Sequence, residues 1–146
     1  MQTLAELKGT RWSGKGELWL DPLGNEAAVS DCTLAVEDGA IRYTWSHDGK
    51  SHQGSITLRD GGADFDDTFH AAETMAFTPW PVPGALLSLI GSYAAGDGPP
   101  WGWRIVVTQR PSGELVLQMT NVTPWGEDGR AVRMIFVRAR RPAEVQ

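Results

Sequence analysis

His47 and His52 flank the dipeptide Asp48-Gly49, and Asp67 follows further along the chain. Imidazole titrates near neutrality, and a nearby carboxylate orients it. Such a set can take and return a proton. The same groups can instead hold the polar end of a bound molecule. The plain alternative is that both histidines sit on a rim and touch only water. His70 completes the three histidines, yet the spacing of His47, His52 and His70 matches no metal-ligand pattern. Cys32 is the single cysteine, so no internal disulfide forms, and it reads as a small buried hydrophobe.

The turns decide which face carries these groups. Asp38-Gly39 and Asp48-Gly49 are two-residue hairpin signals of the kind that needs φ > 0. The first turn sets Val36 opposite Ile41, Leu34 opposite Tyr43, Cys32 opposite Trp45 and Ser30 opposite His47. The second sets Trp45 opposite His52, Tyr43 opposite Gly54 and Ile41 opposite Ile56. Both registers gather one apolar set on one face of three strands. Thr33, Ala35, Arg42, Thr44, Ser46, Ser51, Gln53 and Ser55 take the other face. A slip of one residue would mix the two sets. His47 and His52 therefore share the inner face with Tyr43 and Trp45. Asp60-Gly61-Gly62 makes a third turn. A two-residue loop there sends Phe65, Asp67 and Phe69 inward and Asp64, Asp66, Thr68 and His70 outward. A bulged loop swaps them.

Residues 9–20 read as the first strand, with Trp12, Gly14, Gly16, Leu18 and Leu20 inward and Trp19 outward. Its glycines allow the bend of a barrel corner. Residues 3–8 make one helical turn that presents Leu4 and Leu7 to one end. Residues 73–78 read as a short strand. Residues 85–95 fit a strand or a short helix, since periodicity does not separate them. Residues 101–110 and 130–138 read as strands. Arg110-Pro111-Ser112-Gly113 fits a type I turn closed by a glycine bulge. It pairs Val107 with Leu117, Ile105 with Met119 and Trp103 with Asn121. The layout predicts an all-β fold, an antiparallel up-and-down β-barrel of eight to ten strands, as a single domain over residues 1–146.

The chain of 146 residues is long enough to bury roughly 68–70% of its unfolded surface. A net charge of −5 argues against a nucleic-acid partner. No polybasic run serves an anionic membrane, and no apolar run reaches the ~18 residues of a membrane-spanning helix. The first residues lack the basic and apolar regions of a signal peptide. With one cysteine, a reducing compartment fits, and the expectation is a soluble cytoplasmic protein.

The consecutive hairpins, the opening set Gly9, Trp12, Gly14 and Gly16, and the arginine-bearing last strand resemble the calycin superfamily. That group includes lipocalins, fatty-acid-binding proteins and nitrobindin-like haem proteins. Arg11 departs from their Gly-x-Trp opening by making it Gly-x-x-Trp. The whole chain also resembles small bacterial lipocalin-like proteins of unknown function, which share the opening and an Asp-x-Phe-His segment, here Asp67-Thr68-Phe69-His70. The resemblance implies an arginine of the last strand, Arg133 or Arg138, packed over Trp12. Nitrobindin-like proteins ligate haem through a histidine near the C-terminus, and here no histidine follows His70. No cofactor is named by the residues.

The expected function is binding of a small hydrophobic or aromatic molecule inside the barrel. Tyr43, Trp45, Trp103, Ile105 and Met119 would form its wall, with His52 and Asn121 orienting the ligand. Against this, an eight-stranded interior is only just wide enough for side chains or one small ligand, and seven tryptophans could fill it. One rival is an enzyme using His47, His52 and Asp67 for acid–base chemistry. The other is a protein–protein module, such as a homodimer, using Trp80 and Trp125.

Overall fold

Alternating apolar and polar residues run through ten strands of the computed structural model, which describes residues 2–139. They are β1 (Arg11–Trp19), β2 (Ala27–Glu37), β3 (Ala40–His47), β4 (Lys50–Arg59) and β5 (Gly62–Asp67). Then come β6 (Ala71–Pro79), β7 (Leu87–Tyr93), β8 (Trp101–Gln109), β9 (Leu115–Val122) and β10 (Asp128–Arg138). Each pairs antiparallel with the next, and β10 returns to β1, so the barrel is closed. Closure leaves no free sheet edge to aggregate. Residues 85–95 thus hold a strand, not a helix. Among the described residues no helix is long and apolar enough to cross a membrane.

The hairpin turns set the register. Leu34 pairs with Tyr43 and Val36 with Ile41. Ile41 pairs with Ile56, Tyr43 with Gly54 and Trp45 with His52. Asp48 and Gly49 both have positive φ, at 52° and 74°, which fits a type I′ turn. At Asp38-Gly39 and Asp60-Gly61 only the glycine does. The third turn has the two-residue form, since Arg59 pairs with Gly62. Val107–Leu117, Ile105–Met119 and Trp103–Asn121 also pair as expected.

Four expectations need correction. The β2–β3 ladder stops at Thr33–Thr44, so the Cys32–Trp45 and Ser30–His47 pairs do not form. β2 stays with β1 as far as Ala27 and diverges from β3, and the Ser46 amide reaches the Ser30 hydroxyl instead. Leu20 lies past the end of β1 and is exposed. Trp19 is buried although its position alternates outward, and Arg130 lies 4.7 Å over its ring. That contact replaces the expected arginine over Trp12. Among the described residues Trp12 has no cation–π partner, and its neighbour on β10 is Arg138. The fourth correction, at His70, belongs to the site.

The interior is packed. Tyr43, Phe65, Phe77, Phe136, Ile105 and Met119 are among the largest fully buried side chains. Ten strands enclose more room than eight, and aromatic rings take up that room. One end is closed by a short 3-10 turn, Ala5–Leu7, which buries Leu7 completely. Thr3 and Glu6 cap it reciprocally, each side chain bonding the other's backbone amide. The β6–β7 ladder is short, with Thr78–Ile90 and Pro79–Leu89 paired, and it continues past the strand end where Trp80 and Ser88 exchange hydrogen bonds.

Gly14 shows how closely the strands approach. A Cβ there would lie 1.8 Å from the Ile135 carbonyl oxygen, which is backbone and has little room to yield.

Candidate functional site

The open end of the barrel holds a run of aromatic rings. Trp45 stacks on His52 at 4.6 Å and on His70 at 5.4 Å. His70 lies 5.1 Å from Trp103, and Phe69 meets Trp45, His52 and His70 edge-on. β3, β4 and β8 supply the tryptophans and His52. The turn after β5 supplies Phe69 and His70.

That turn is built by Asp67. Its Oδ1 accepts the backbone N–H groups of Phe69 and His70 at 2.8 and 2.9 Å. A carboxylate that closes a turn on amides just ahead of it is a common use of aspartate. Strand alternation ends there, and His70 swings inward instead of outward, its side chain only 10% exposed. The Asp-x-Phe-His segment is therefore a turn that delivers an imidazole to the interior.

Asp67 has no solvent exposure in its side chain. The Tyr43 hydroxyl donates to its Oδ2 at 2.5 Å, and His70 Nδ1 lies 3.4 Å from Oδ1, an ion-pair distance. Burial pushes the Asp67 carboxyl up. The His70 ring, the Tyr43 hydroxyl and the His70 amide outweigh that and hold it below its ordinary value. Tyr43 is pushed well above its ordinary value by burial and then by Asp67. It stays a neutral donor.

Gly54 keeps Tyr43 in place, because an added Cβ would lie 2.2 Å from the end of its ring. Gly54→Ala is expected to cost about 1–3 kcal/mol, as over-packing does, by pushing that hydroxyl off Asp67. Denaturant midpoints measure it, and an unchanged midpoint would show that the ring has another place to go.

The acid–base set read from the sequence is not assembled around Asp67. His52 Nδ1 pairs with the Thr68 hydroxyl at 3.0 Å, and His47 touches Phe69 at the rim, 5.8 Å between rings. The histidine beside Asp67 is His70. Its orientation by a carboxylate leaves Nε2 for a proton or a ligand. Among the described residues no cluster of three histidine, cysteine or acidic side chains fits a metal. Burial pushes the Cys32 thiol up to about 12, so it stays protonated at neutral pH.

Two concave regions compete as binding sites. The larger is a groove on the outside of β1 to β6, lined by Ser13, Thr33, Thr44, Ser55, Asp66 and Thr74 among others. Several of its polar groups already bond one another. Thr33 meets Thr44, and Thr74 donates to Asp66. The smaller is a cavity of about 270 Å³ at the open end, lined by Trp19, Phe69, His70, Met75, Trp103 and Asn121 among others. Among the described residues, two buried side-chain atoms without a hydrogen-bond partner, Trp103 Nε1 and His70 Nδ1, belong to this lining, whereas Trp45 Nε1 and Arg133 Nε, also unpartnered, lie off it. The smaller cavity is the candidate site on that ground, since buried polar groups are almost always paired.

The expected ligand wall divides. Trp103 and Asn121 line the cavity. Tyr43, Ile105 and Met119 are packed into the core, at most 2% exposed. Trp45 and His52 line an outward groove between β2, β3 and β4 and reach the site through the ring stack. His70, Tyr93 and Met75 line the cavity and were not expected to. The signal for His70 was the aspartate three residues before it. Trp80 lies on the surface under Arg104, and Trp125 is exposed with its edge on Trp101. No protein-family model matches the chain, and no curated protein matches it.

Proposed function

We propose that the barrel binds a small, largely apolar or aromatic molecule in the cavity at its open end. The supporting observation is the buried indole N–H of Trp103, a residue of the cavity lining, which finds no partner among the described residues. Leaving such a donor unpaired costs about 1–3 kcal/mol, which a bound acceptor recovers. Aromatic walls with a few polar groups are the usual make-up of small-molecule sites. The calycin-like opening motif and the closed barrel agree with this reading.

Titration with benzyl alcohol should change the intrinsic tryptophan fluorescence saturably. Trp103→Ala should weaken binding about tenfold or more, as loss of a wall residue worth roughly 1.4 kcal/mol or above does. Trp80→Ala should leave it near wild type, because Trp80 lies outside the cavity lining. Equal effects of the two variants would remove the site from this end of the barrel.

A further inference from the structure

The polar atoms around the open-end cavity are mostly donors. Asn121 is 8% exposed, and its Oδ1 accepts the Tyr93 hydroxyl at 2.5 Å. That leaves its Nδ2–H groups for the cavity. Trp103 is 5% exposed, and its Nε1–H has no partner among the described residues. His70 turns Nδ1 toward Asp67 and is covered by the rings of Trp45 and Trp103, leaving Nε2 as its free polar edge.

This donor set discriminates between ligands. An ammonium would leave every donor unpaired and bring positive charge against them. A hydrocarbon would leave them unpaired too. A carboxylate accepts from all of them, and bonds to a charged acceptor are the stronger kind. With Nδ1 facing the Asp67 carboxylate 3.4 Å away, Nε2 is the His70 ring atom that can meet a ligand oxygen. The volume of about 270 Å³ suits a single ring with substituents.

We propose that the cavity selects a small aromatic carboxylate, its ring against Phe69 and Met75 and its oxygens on Asn121, His70 and the Trp103 N–H. This rests on the small-molecule reading above. The charged and titratable groups around His70 are few. Asp67 of β5 touches it, with Tyr43 of β3 behind. His52 of β4 lies across Trp45, and Tyr93 of β7 is bonded to Asn121. Asp21 at the cavity rim opposes an anion, but its carboxylate already accepts the amides of Asn25 and Glu26, both at 2.7 Å. Arg130, over Trp19, offsets it.

Calorimetric titration of the full chain with benzoate and with benzyl alcohol tests the proposal. Benzoate should bind about tenfold or more tightly, since a hydrogen bond to a charged group is worth that much more. His70→Phe and Asn121→Leu should each bring benzoate down to the affinity that the same variant shows for benzyl alcohol, so that the preference between the two probes is lost. Benzyl alcohol binding as well as benzoate to the wild type would overturn the carboxylate while sparing the small-molecule site. A benzoate preference that survives both substitutions would overturn the assignment to these residues. If neither probe binds folded wild-type protein, both readings fall.

Discussion

Trp12→Ala is expected to remove about 3–5 kcal/mol of unfolding free energy, the range for truncating a large buried aromatic. Trp12 is 3% exposed and belongs to the cluster that runs through the barrel. Its indole N–H donates to the Thr10 hydroxyl at 2.8 Å, and that hydroxyl donates to the Leu7 carbonyl at 2.6 Å. One side chain therefore ties β1 to the 3-10 turn that closes this end. Alanine would leave a void and a buried hydroxyl without its donor. Trp12→Phe should cost less, since the ring volume is largely kept and only the N–H is lost. Urea midpoints at an unchanged slope measure both effects. A wild-type midpoint for Trp12→Ala would show that this end is held by Leu7 and its neighbours alone.

The parts of the fold that were legible are those whose turns leave one solution. Two-residue loops at Asp48-Gly49 and at Asp38-Gly39 fix which residues pair, and alternation then carries the faces outward from them. The Arg110–Gly113 turn did the same for Trp103 and Asn121, the two expected ligand residues that line the cavity. Legibility ends where alternation does. His70 follows a turn made by the Asp67 side chain, and no strand periodicity extends through it. Trp19 sits at the last position of β1, where the Arg130 guanidinium from another strand lies over its ring and sheet alternation no longer predicts burial. The cavity itself was out of reach for a different reason. It is the space that large side chains fail to fill, and Ile105 and Met119 face inward on the same strands as Trp103 and Asn121 yet pack solid. Inward direction follows from register, whereas free volume follows from the packing of the whole interior.

Asp67→Ala is expected to cost about 3–5 kcal/mol, the range for breaking a buried charged network by removing one partner. Three groups lose their acceptor together, the Tyr43 hydroxyl and the Phe69 and His70 amides, and the His70 ring loses the carboxylate 3.4 Å from its Nδ1. Asp67→Asn should cost less, because one side-chain oxygen still accepts. The two substitutions also separate charge from shape through pH. The Asp67 carboxyl lies below its ordinary value of 3.8 in the folded protein. Its contribution is therefore complete above that pH and is lost as pH falls through the folded value. Tyr43 acts in the opposite sense. Its value is raised well above 10.0, so its contribution is complete below that pH and is lost as pH climbs beyond it. Denaturant midpoints followed from neutral pH downward should show a smaller acid loss in Asp67→Asn than in the wild type, since Asp21 is also held below its ordinary value. Followed upward, they should show a smaller alkaline loss in Tyr43→Phe, since Tyr93 is also raised. An acid limb identical in wild type and Asp67→Asn would mean that Asp67 does not fold as a carboxylate, and the turn that delivers His70 would then rest on neutral hydrogen bonds alone.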